Sequence, residues 1–173
     1  MAEKELIRLT YCSTATFPVQ KYSIEPEIGR ILVQCRKNNR REEIGGVLHF
    51  GNGFFFQALE GDRARVNKLY NHIATDPRHE DVQVLSVKTV PRRMFPDWSM
   101  KYVALEERIK ALLHSKRRSN FNPYKFDEAF VDELLQLFVS AEDPSVEKGR
   151  GNDADAGAQG KGGWFKRLFG AQN

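Results

Sequence analysis

The sequence predicts an α+β fold in which strands and helices follow one another in the order β-α-β-β-α-β. Three observations lead to this prediction. Several short segments alternate apolar and polar residues, as half-buried strands do. Two longer segments place apolar residues at helical spacing. Gly51-Asn52-Gly53 separates two apolar runs and is typical of a hairpin turn, because these residues tolerate positive φ.

The first strand is predicted at residues 6–13, where apolar and polar residues alternate. A loop follows over 16–22, and Ser23 is then placed to cap a helix with Pro26 in its first turn. The apolar stripe of this helix is Ile24, Ile28, Ile31, Leu32 and Cys35. We expect the helix to end at 37–39, where two asparagines favour a C-terminal break.

The two hairpin strands are predicted at 44–50 and 54–59. Asp62 is placed to cap a second helix, which ends at 76–78. The stripe of that helix is Val66, Leu69, Tyr70 and Ile73. A further strand is predicted at 82–90, where apolar and polar residues alternate again.

Residues 5–105 thus show the order of the ferredoxin-like fold, a mixed sheet with two helices on one face. Residues 100–105 are a candidate for a short fifth strand. Residues 106–141 are predicted as a helical extension with amphipathic helices at 106–115 and 126–141. These helices either complete the core on the open sheet face or build an oligomer interface.

Residues 142–173 are rich in Gly, Asp and Lys without periodicity, so we expect a disordered tail. Its end is a short aromatic and basic patch made of Lys161, Trp164, Phe165, Lys166, Arg167, Leu168 and Phe169. Two interpretations of residues 161–173 stand side by side. The patch makes a weak contact with a membrane surface or a partner, or it is simply a disordered end.

The size and composition fit one compact domain with appendages in 173 residues. The net charge of +4 is spread in short clusters, so we expect no nucleic-acid partner. Cys12 and Cys35 make no disulfide framework and suit a reducing compartment. We expect no signal peptide, because residues 1–7 are charged, and no apolar run reaches the roughly 20 residues of a membrane span. These features predict a cytoplasmic protein.

The enzyme signals are weak. The sequence has no metal-spaced His/Cys cluster, no nucleophile elbow and no Gly-rich phosphate loop. His72 and His79 are interpreted as structural or solvated, and Glu60 as a turn or cap residue. We therefore expect a protein that is not an enzyme.

Gln57 is the unusual residue of the predicted core, because it stands on a strand among large apolar residues. A buried amide without hydrogen-bond partners costs roughly 1–3 kcal/mol. The simplest interpretation is a core glutamine hydrogen-bonded to Tyr11 on the first strand. The same pair also suits a ligand site, and the pattern alone does not separate the two.

Six stretches, taken in order and spacing, resemble the BLUF family of flavin-binding blue-light sensors. They are residues 7–13 (Ile-Arg-Leu-Thr-Tyr-Cys-Ser), 38–39 (Asn-Asn), 44–48 (Ile-Gly-Gly-Val-Leu), 55–61 (Phe-Phe-Gln-Ala-Leu-Glu-Gly), 76–79 (Asp-Pro-Arg-His) and 93–100 (Arg-Met-Phe-Pro-Asp-Trp-Ser-Met). The resemblance covers about residues 5–105. It implies a domain that holds FAD noncovalently between its two helices.

The resemblance also implies roles for particular residues. Tyr11 matches the family's photoactive tyrosine, and Gln57 matches the glutamine between that tyrosine and the flavin. Asn39 matches the asparagine that binds the pyrimidine edge of the flavin, and Asn38 and His72 fall where further contacts to the cofactor are made.

Trp98 and Met100 match the mobile residues near that glutamine on the last strand, which relay the switch. One position departs from the family, since Gly45 stands where threonine is usual. The lost hydroxyl and the freer backbone are expected to alter strand stability or the recovery rate, not flavin binding.

The sequence therefore predicts a blue-light photoreceptor that signals to a partner protein and forms homo-oligomers. In it, electron and proton transfer from Tyr11 and a rearrangement of Gln57 change the hydrogen bonds around FAD. The alternative is a light-independent, ferredoxin-like interaction module that has lost the flavin. A redox enzyme is disfavoured, because the sequence offers no acid/base pair for a substrate.

Overall fold

The computed structural model describes residues 5–18, 26–104 and 107–145. Five strands form one sheet: β1 (Leu6–Ala15), β2 (Gly45–Gly51), β3 (Phe54–Asp62), β4 (His79–Thr89) and β5 (Lys101–Val103). The helices are α1 (Pro26–Arg41), α2 (Arg63–Ala74), α3 (Glu107–Ser115) and α4 (Glu128–Ser140), with a short 3₁₀ turn at Pro123–Lys125.

The strand order across the sheet is β4-β1-β3-β2-β5. The neighbours β4-β1, β1-β3 and β3-β2 are antiparallel, and β5 runs parallel to β2. The sheet is therefore mixed, which confirms the predicted ferredoxin-like α+β fold with a fifth strand. The hairpin turn is also confirmed, with positive φ of 54° at Asn52 and 81° at Gly53.

Helices α1 and α2 pack on one face of the sheet, as predicted. Their apolar stripes meet inward-facing residues of β1, β2 and β3 in one buried cluster, which includes Ile7, Leu9, Tyr11, Ile28, Leu32, Leu48, Phe55 and Val66. Asp62 caps α2 as expected, since its carboxylate accepts from the amides of Ala64 and Arg65. The predicted cap Ser23 lies outside the described residues.

Several predicted element ends differ from the structure by a few residues, and two of them bear on the site. Helix α1 runs to Arg41, beyond the expected break at 37–39, because the Asn39 side chain is buried and bonded elsewhere and does not compete with the helix. Strand β3 extends to Asp62, because β1 and β2 pair with it on both sides. Glu60 is thus a buried residue within β3, not a turn or cap residue.

Helices α3 and α4 cover the opposite face of the sheet. Their buried side chains pack against strand residues that point away from α1 and α2, in a cluster that includes Val47, Phe56, Ala58, Ile109, Leu113, Phe130, Leu134 and Phe138. Core completion is therefore what this packing achieves, while an oligomer interface stays a prediction. The predicted tail lies outside the described residues from 146 onward. Within the described ranges, no helix has the length and apolar character to cross a bilayer.

Candidate functional site

A cleft opens between α1 and α2 above the middle of the sheet. Its interior cavity is about 50 Å³, and the empty space reaches about 490 Å³ only when the open solvent at its mouth is included. Its apolar walls are Ile31, Leu48, Phe55, Leu69 and Ile73. Its polar lining is Tyr11, Gln34, Asn38, Asn39, Gln57, His72, Asp76, Arg78 and His79. An apolar slot edged by amide groups suits a flat heteroaromatic ligand with polar edges.

Tyr11 and Gln57 meet at the floor of this cleft. They are direct partners in the antiparallel register of β1 and β3, so both side chains leave the sheet on the same face. The Tyr11 hydroxyl donates to Gln57 Oε1. Both residues are buried, with exposed fractions of 0% and 3%. The hydrogen bond expected from the sequence is therefore present, and it borders the cleft between α1 and α2.

Met100 continues this chain of contacts on the side away from Tyr11. Gln57 Nε2 lies 3.3 Å from Met100 Sδ and donates to it. Met100 is fully buried in the cluster beneath α1 and α2. Gln57 thus has a partner for each end of its amide, an acceptor oxygen toward Tyr11 and a donor nitrogen toward Met100.

Trp98 lies on the other side of the sheet from this chain of contacts. It is half-buried against the cluster formed with α3 and α4, and the ammonium of Lys101 sits 5.6 Å from its ring centre. Trp98 and Met100 both precede β5, so the expectation that they lie on the last strand is wrong by a few residues. The structure brings Met100 to Gln57 and does not bring Trp98 there.

The three remaining predicted cofactor contacts border the same cleft. Asn39 is buried at the C-terminal end of α1, where its Nδ2 donates to the carbonyl of Ser99 at 2.9 Å. This leaves its side-chain oxygen as an acceptor. Asn38 is half-buried beside it, and His72 is exposed at the mouth on α2. The placement is compatible with the roles implied by the resemblance, which stay predictions.

Burial decides the protonation state of the cleft floor. It raises the pKa of Tyr11 well above the ordinary value of 10, so the phenol is neutral at physiological pH. Burial likewise raises the pKa of the Cys35 thiol, on the wall of the cleft, to about 11. The floor is therefore an uncharged hydrogen-bonding surface in apolar surroundings.

A charged group at the mouth was not singled out as a site from the sequence. The Arg78 guanidinium bonds both carboxylate oxygens of Asp76 and lowers the pKa of that carboxyl to about 2. His79 stacks near Phe55, with ring centres 4.2 Å apart, and burial lowers its pKa to about 4. The stretch 76–79 could have indicated this group, because an aspartate and an arginine two residues apart, in the order Asp-Pro-Arg, can form a bidentate ion pair.

Comparison with known families identifies the domain. A family model described as BLUF, sensors of blue-light using FAD, matches residues 6–101, more than half of the chain. The chain belongs to the BLUF family. This confirms the resemblance seen in the sequence, and with it a blue-light flavin sensor as the type of domain.

The similar curated proteins are BLUF proteins much longer than the region they share with this chain. The photoactivated adenylate cyclase subunit beta of Euglena gracilis is 34% identical over 96 residues, 55% of this chain and 11% of that protein. The blue light- and temperature-regulated antirepressor BluF of Escherichia coli (strain K12) is 32% identical over 108 residues, 60% of this chain and 26% of that protein. The chain thus spans about a tenth of the cyclase and about a quarter of the antirepressor.

Solved structures of short BLUF proteins match over nearly their whole length. BlsA in its ground state has a TM-score of 0.74 at 28% identity, covering 80% of this chain and 90% of that chain. BlrB in its dark state has a TM-score of 0.65 at 28% identity, covering 79% and 97%. The coverage exceeds the family match of 6–101, so the likeness includes part of the chain that follows it.

Proposed function

We propose that this chain is a blue-light photoreceptor that binds FAD noncovalently in the cleft between α1 and α2 and signals to a partner protein. The observation that carries the proposal is the buried Tyr11–Gln57 hydrogen bond at the floor of that cleft. A buried phenol bonded to a buried amide, both lining a cleft with apolar walls, is more than core packing needs.

The lining of the cleft fits a flavin. The apolar walls can hold the two faces of a flat tricyclic ring, and Asn38, Asn39 and Gln57 offer amide groups to its polar edges. When bound, the flavin supplies the absorption of blue light and an electron acceptor. FAD is proposed over FMN because the family is described by that cofactor.

Tyr11 is suited to give an electron and a proton. It is held neutral by burial, and its hydroxyl proton already points at Gln57 Oε1. An electron leaving the phenol makes that proton strongly acidic, so it moves along the existing hydrogen bond. Low dielectric around the pair amplifies the effect of the charge.

Gln57 is suited to retain the change in hydrogen bonding that follows light absorption. If its amide turns over, Nε2 faces Tyr11 and Oε1 faces Met100 Sδ. The thioether is a weak acceptor with no proton to give, so the former hydrogen bond becomes a contact between two acceptors. Met100 then has to move, which converts a rearranged amide into a displaced segment before β5.

The output of the proposed photoreceptor is a protein contact rather than a reaction of this chain. The chain spans about a tenth of the similar cyclase, so cyclase activity does not transfer to it. A cytoplasmic location remains part of the proposal, supported by the composition. Homo-oligomerisation also remains part of it, supported by the amphipathic character of the segments 106–115 and 126–141.

The test is an absorption spectrum of the purified full chain before and after blue light, followed through dark recovery. We expect a flavin spectrum that shifts slightly to the red and relaxes in the dark. Gln57→Leu and Tyr11→Phe should abolish the normal shift and retain bound flavin. Mass spectrometry of the released cofactor distinguishes FAD from FMN.

Matched controls are Tyr70→Phe and Gln83→Leu. Tyr70 is half-buried with its ring 5.6 Å from that of Tyr11, and Gln83 is exposed on β4. Both controls should keep the shift. A colourless protein that FAD cannot reconstitute would leave the light-independent interaction module, and a flavin that bleaches to its reduced form would favour redox chemistry.

A further inference from the structure

A cluster of polar side chains ties three separate parts of the chain together beside β5. Arg36 comes from α1, and Asp143 and Ser145 follow α4; we call these three residues the clamp. Arg36 Nη2 donates to Asp143 Oδ2 at 3.0 Å and to Ser145 Oγ at 2.6 Å. Asp143 and Arg36 are 107 residues apart in sequence, so this is a tertiary contact and not a local turn.

Asp143 is held as a buried structural carboxylate is. Its side chain is 1% exposed. Besides Arg36, it accepts from the backbone and hydroxyl of Ser145 and, at 2.8 Å, from the amide of Tyr102. Tyr102 is the central residue of β5, the strand at the edge of the sheet, so Asp143 caps a donor that no neighbouring strand serves.

The clamp also holds the residue that contacts Gln57. Arg36 Nε donates to the carbonyl of Met100 at 3.0 Å, while Met100 Sδ accepts from Gln57 Nε2. Met100 is therefore bonded at both ends, through its side chain to the predicted photoactive pair and through its backbone to the clamp.

We infer that the clamp transmits the light-induced change from Met100 to residues 142–145. It opens when Met100 is displaced and releases these residues from β5. This inference rests on the proposed function. Arg36 is fixed on α1, whereas Tyr102 belongs to the strand that Met100 leads into. Asp143 bonds to both, so a shift of β5 against α1 cannot leave both bonds intact, because hydrogen bonds weaken steeply with distance and angle. Residues 142–145 then change their attachment to the sheet.

The exchange rate of the Tyr102 amide hydrogen reports directly on whether the clamp is closed or open. It should be measured by NMR on the full chain loaded with FAD, in the dark and under continuous blue light, with the absorption shift recorded on the same sample. We expect a protected amide in the dark and exchange faster by about tenfold or more in the light.

Two variants should remove this difference in opposite ways. In Asp143→Ala the acceptor for the Tyr102 amide is lost, so Tyr102 should exchange fast in both states. In Arg36→Lys the link to Met100 is lost and Asp143 is free to follow β5, so Tyr102 should stay protected in both. Both variants should keep the red shift, since neither touches Tyr11 or Gln57.

The matched controls are Asp132→Ala and Arg30→Lys. Asp132 pairs with Lys88 and Arg30 with Glu27, on exposed parts of α4 and α1. Both should retain the native difference between light and dark. The inference is overturned if illumination that shifts the spectrum leaves Tyr102 exchange unchanged, or if Arg36→Lys keeps the full difference. If the spectrum itself does not shift, the proposed function fails, and the inference falls with it.

Discussion

Glu60 shows how a single buried residue positions the segment that carries Trp98 and Met100. Its carboxylate is fully buried in β3. It accepts from Arg8 Nε at 2.8 Å and from the amides of Met94 and Phe95 at 2.9 and 3.0 Å. The segment that leads to Met100 is thus anchored to the middle of the sheet a few residues before the switch.

Glu60→Gln tests that anchor. The amide has one acceptor oxygen, so its NH₂ group must face one of the donors that Glu60 now serves. Leaving a buried donor unpaired and Arg8 without its counter-charge should lower the free energy of unfolding by about 3 kcal/mol. Urea denaturation measures the change, and Glu80→Gln on the exposed side of β4 is the control. A loss below about 1 kcal/mol would show that the anchor is dispensable.

At the scale of residues, the sequence located some partners and missed others for a clear reason. Tyr11 and Gln57 were paired correctly because both stand on strands at positions where a polar group is costly. Asp143 was missed because it lies in a stretch of linker-like composition. Its importance comes from Arg36 and Tyr102, which are close to it only in the folded chain.

The close approach of β2 to the segment before β5 depends on Gly45. A Cβ atom at this position would lie 3.0 Å from the carbonyl oxygens of Phe95 and Trp98, both backbone atoms. The amide of the next residue, Gly46, donates to the Trp98 carbonyl at 3.3 Å. The glycine that replaces the usual threonine therefore lets this segment lie directly on the strand.

Restoring a side chain at Gly45 should push the segment outward. We expect Gly45→Ala and Gly45→Thr to lower the free energy of unfolding by about 1–3 kcal/mol, the usual range for overpacking. Gly61→Ala is the matched comparison and should cost less, since its Cβ would come no closer than 3.3 Å to a side-chain atom. Urea denaturation of the three variants compares them; an unchanged Gly45→Ala would mean that the segment gives way freely.

Element types were predictable from the sequence, while several element ends were not. The hairpin was fixed by Asn52 and Gly53, whose φ values the turn requires. Helix α1 continues past its predicted break instead, and there the Asn39 side chain bonds the Ser99 carbonyl rather than its own backbone. A pattern of residues carries local preference, and it carries no information about a carbonyl that arrives from a distant segment.

The described part of the chain forms two cores separated by the sheet, and His49 lies in the one beneath α3 and α4. It is fully buried, with Nδ1 2.7 Å from the carbonyl of Val103. Its Nε2 has no hydrogen-bond partner among the described residues. Burial lowers the pKa of this imidazole to about 4.

This histidine makes the stability of the fold depend on pH. Below its ordinary pKa of 6.5, His49 binds a proton in the unfolded chain and not in the folded one. Stability must therefore fall as the pH drops from about 6.5 to 4, by roughly 3 kcal/mol for this residue. His79, whose pKa is also lowered to about 4, adds a loss in the same direction.

Urea denaturation at constant FAD saturation between pH 7 and pH 4.5 tests this dependence. His49→Gln keeps a donor for Val103 and should flatten the slope. His114→Gln, on the exposed side of α3, should leave the slope unchanged. Equal slopes for the native chain and His49→Gln would contradict the assignment to His49.

The sequence predicted which segments form amphipathic helices better than it predicted which surfaces these helices cover. Apolar stripes indicated the helices at 106–115 and 126–141 but did not indicate the surface that each would cover. Only the packed structure shows Phe130 and Leu134 against Phe56 and Ala58 of the sheet. An apolar stripe indicates that one face of a helix must be buried, but many surfaces can bury such a face.

The short parallel strand β5 also bears on the order in which the chain folds. Strands β2 and β3 are joined by a tight turn, whereas β2 and β5 are separated by two further strands and a helix. Closing that longer loop costs more entropy, and parallel pairing gives back less per residue. Only three residues of β5 pair with β2, which is the shortest ladder among the described strands. The strand next to the switch is accordingly the one held to the sheet by the fewest backbone pairs.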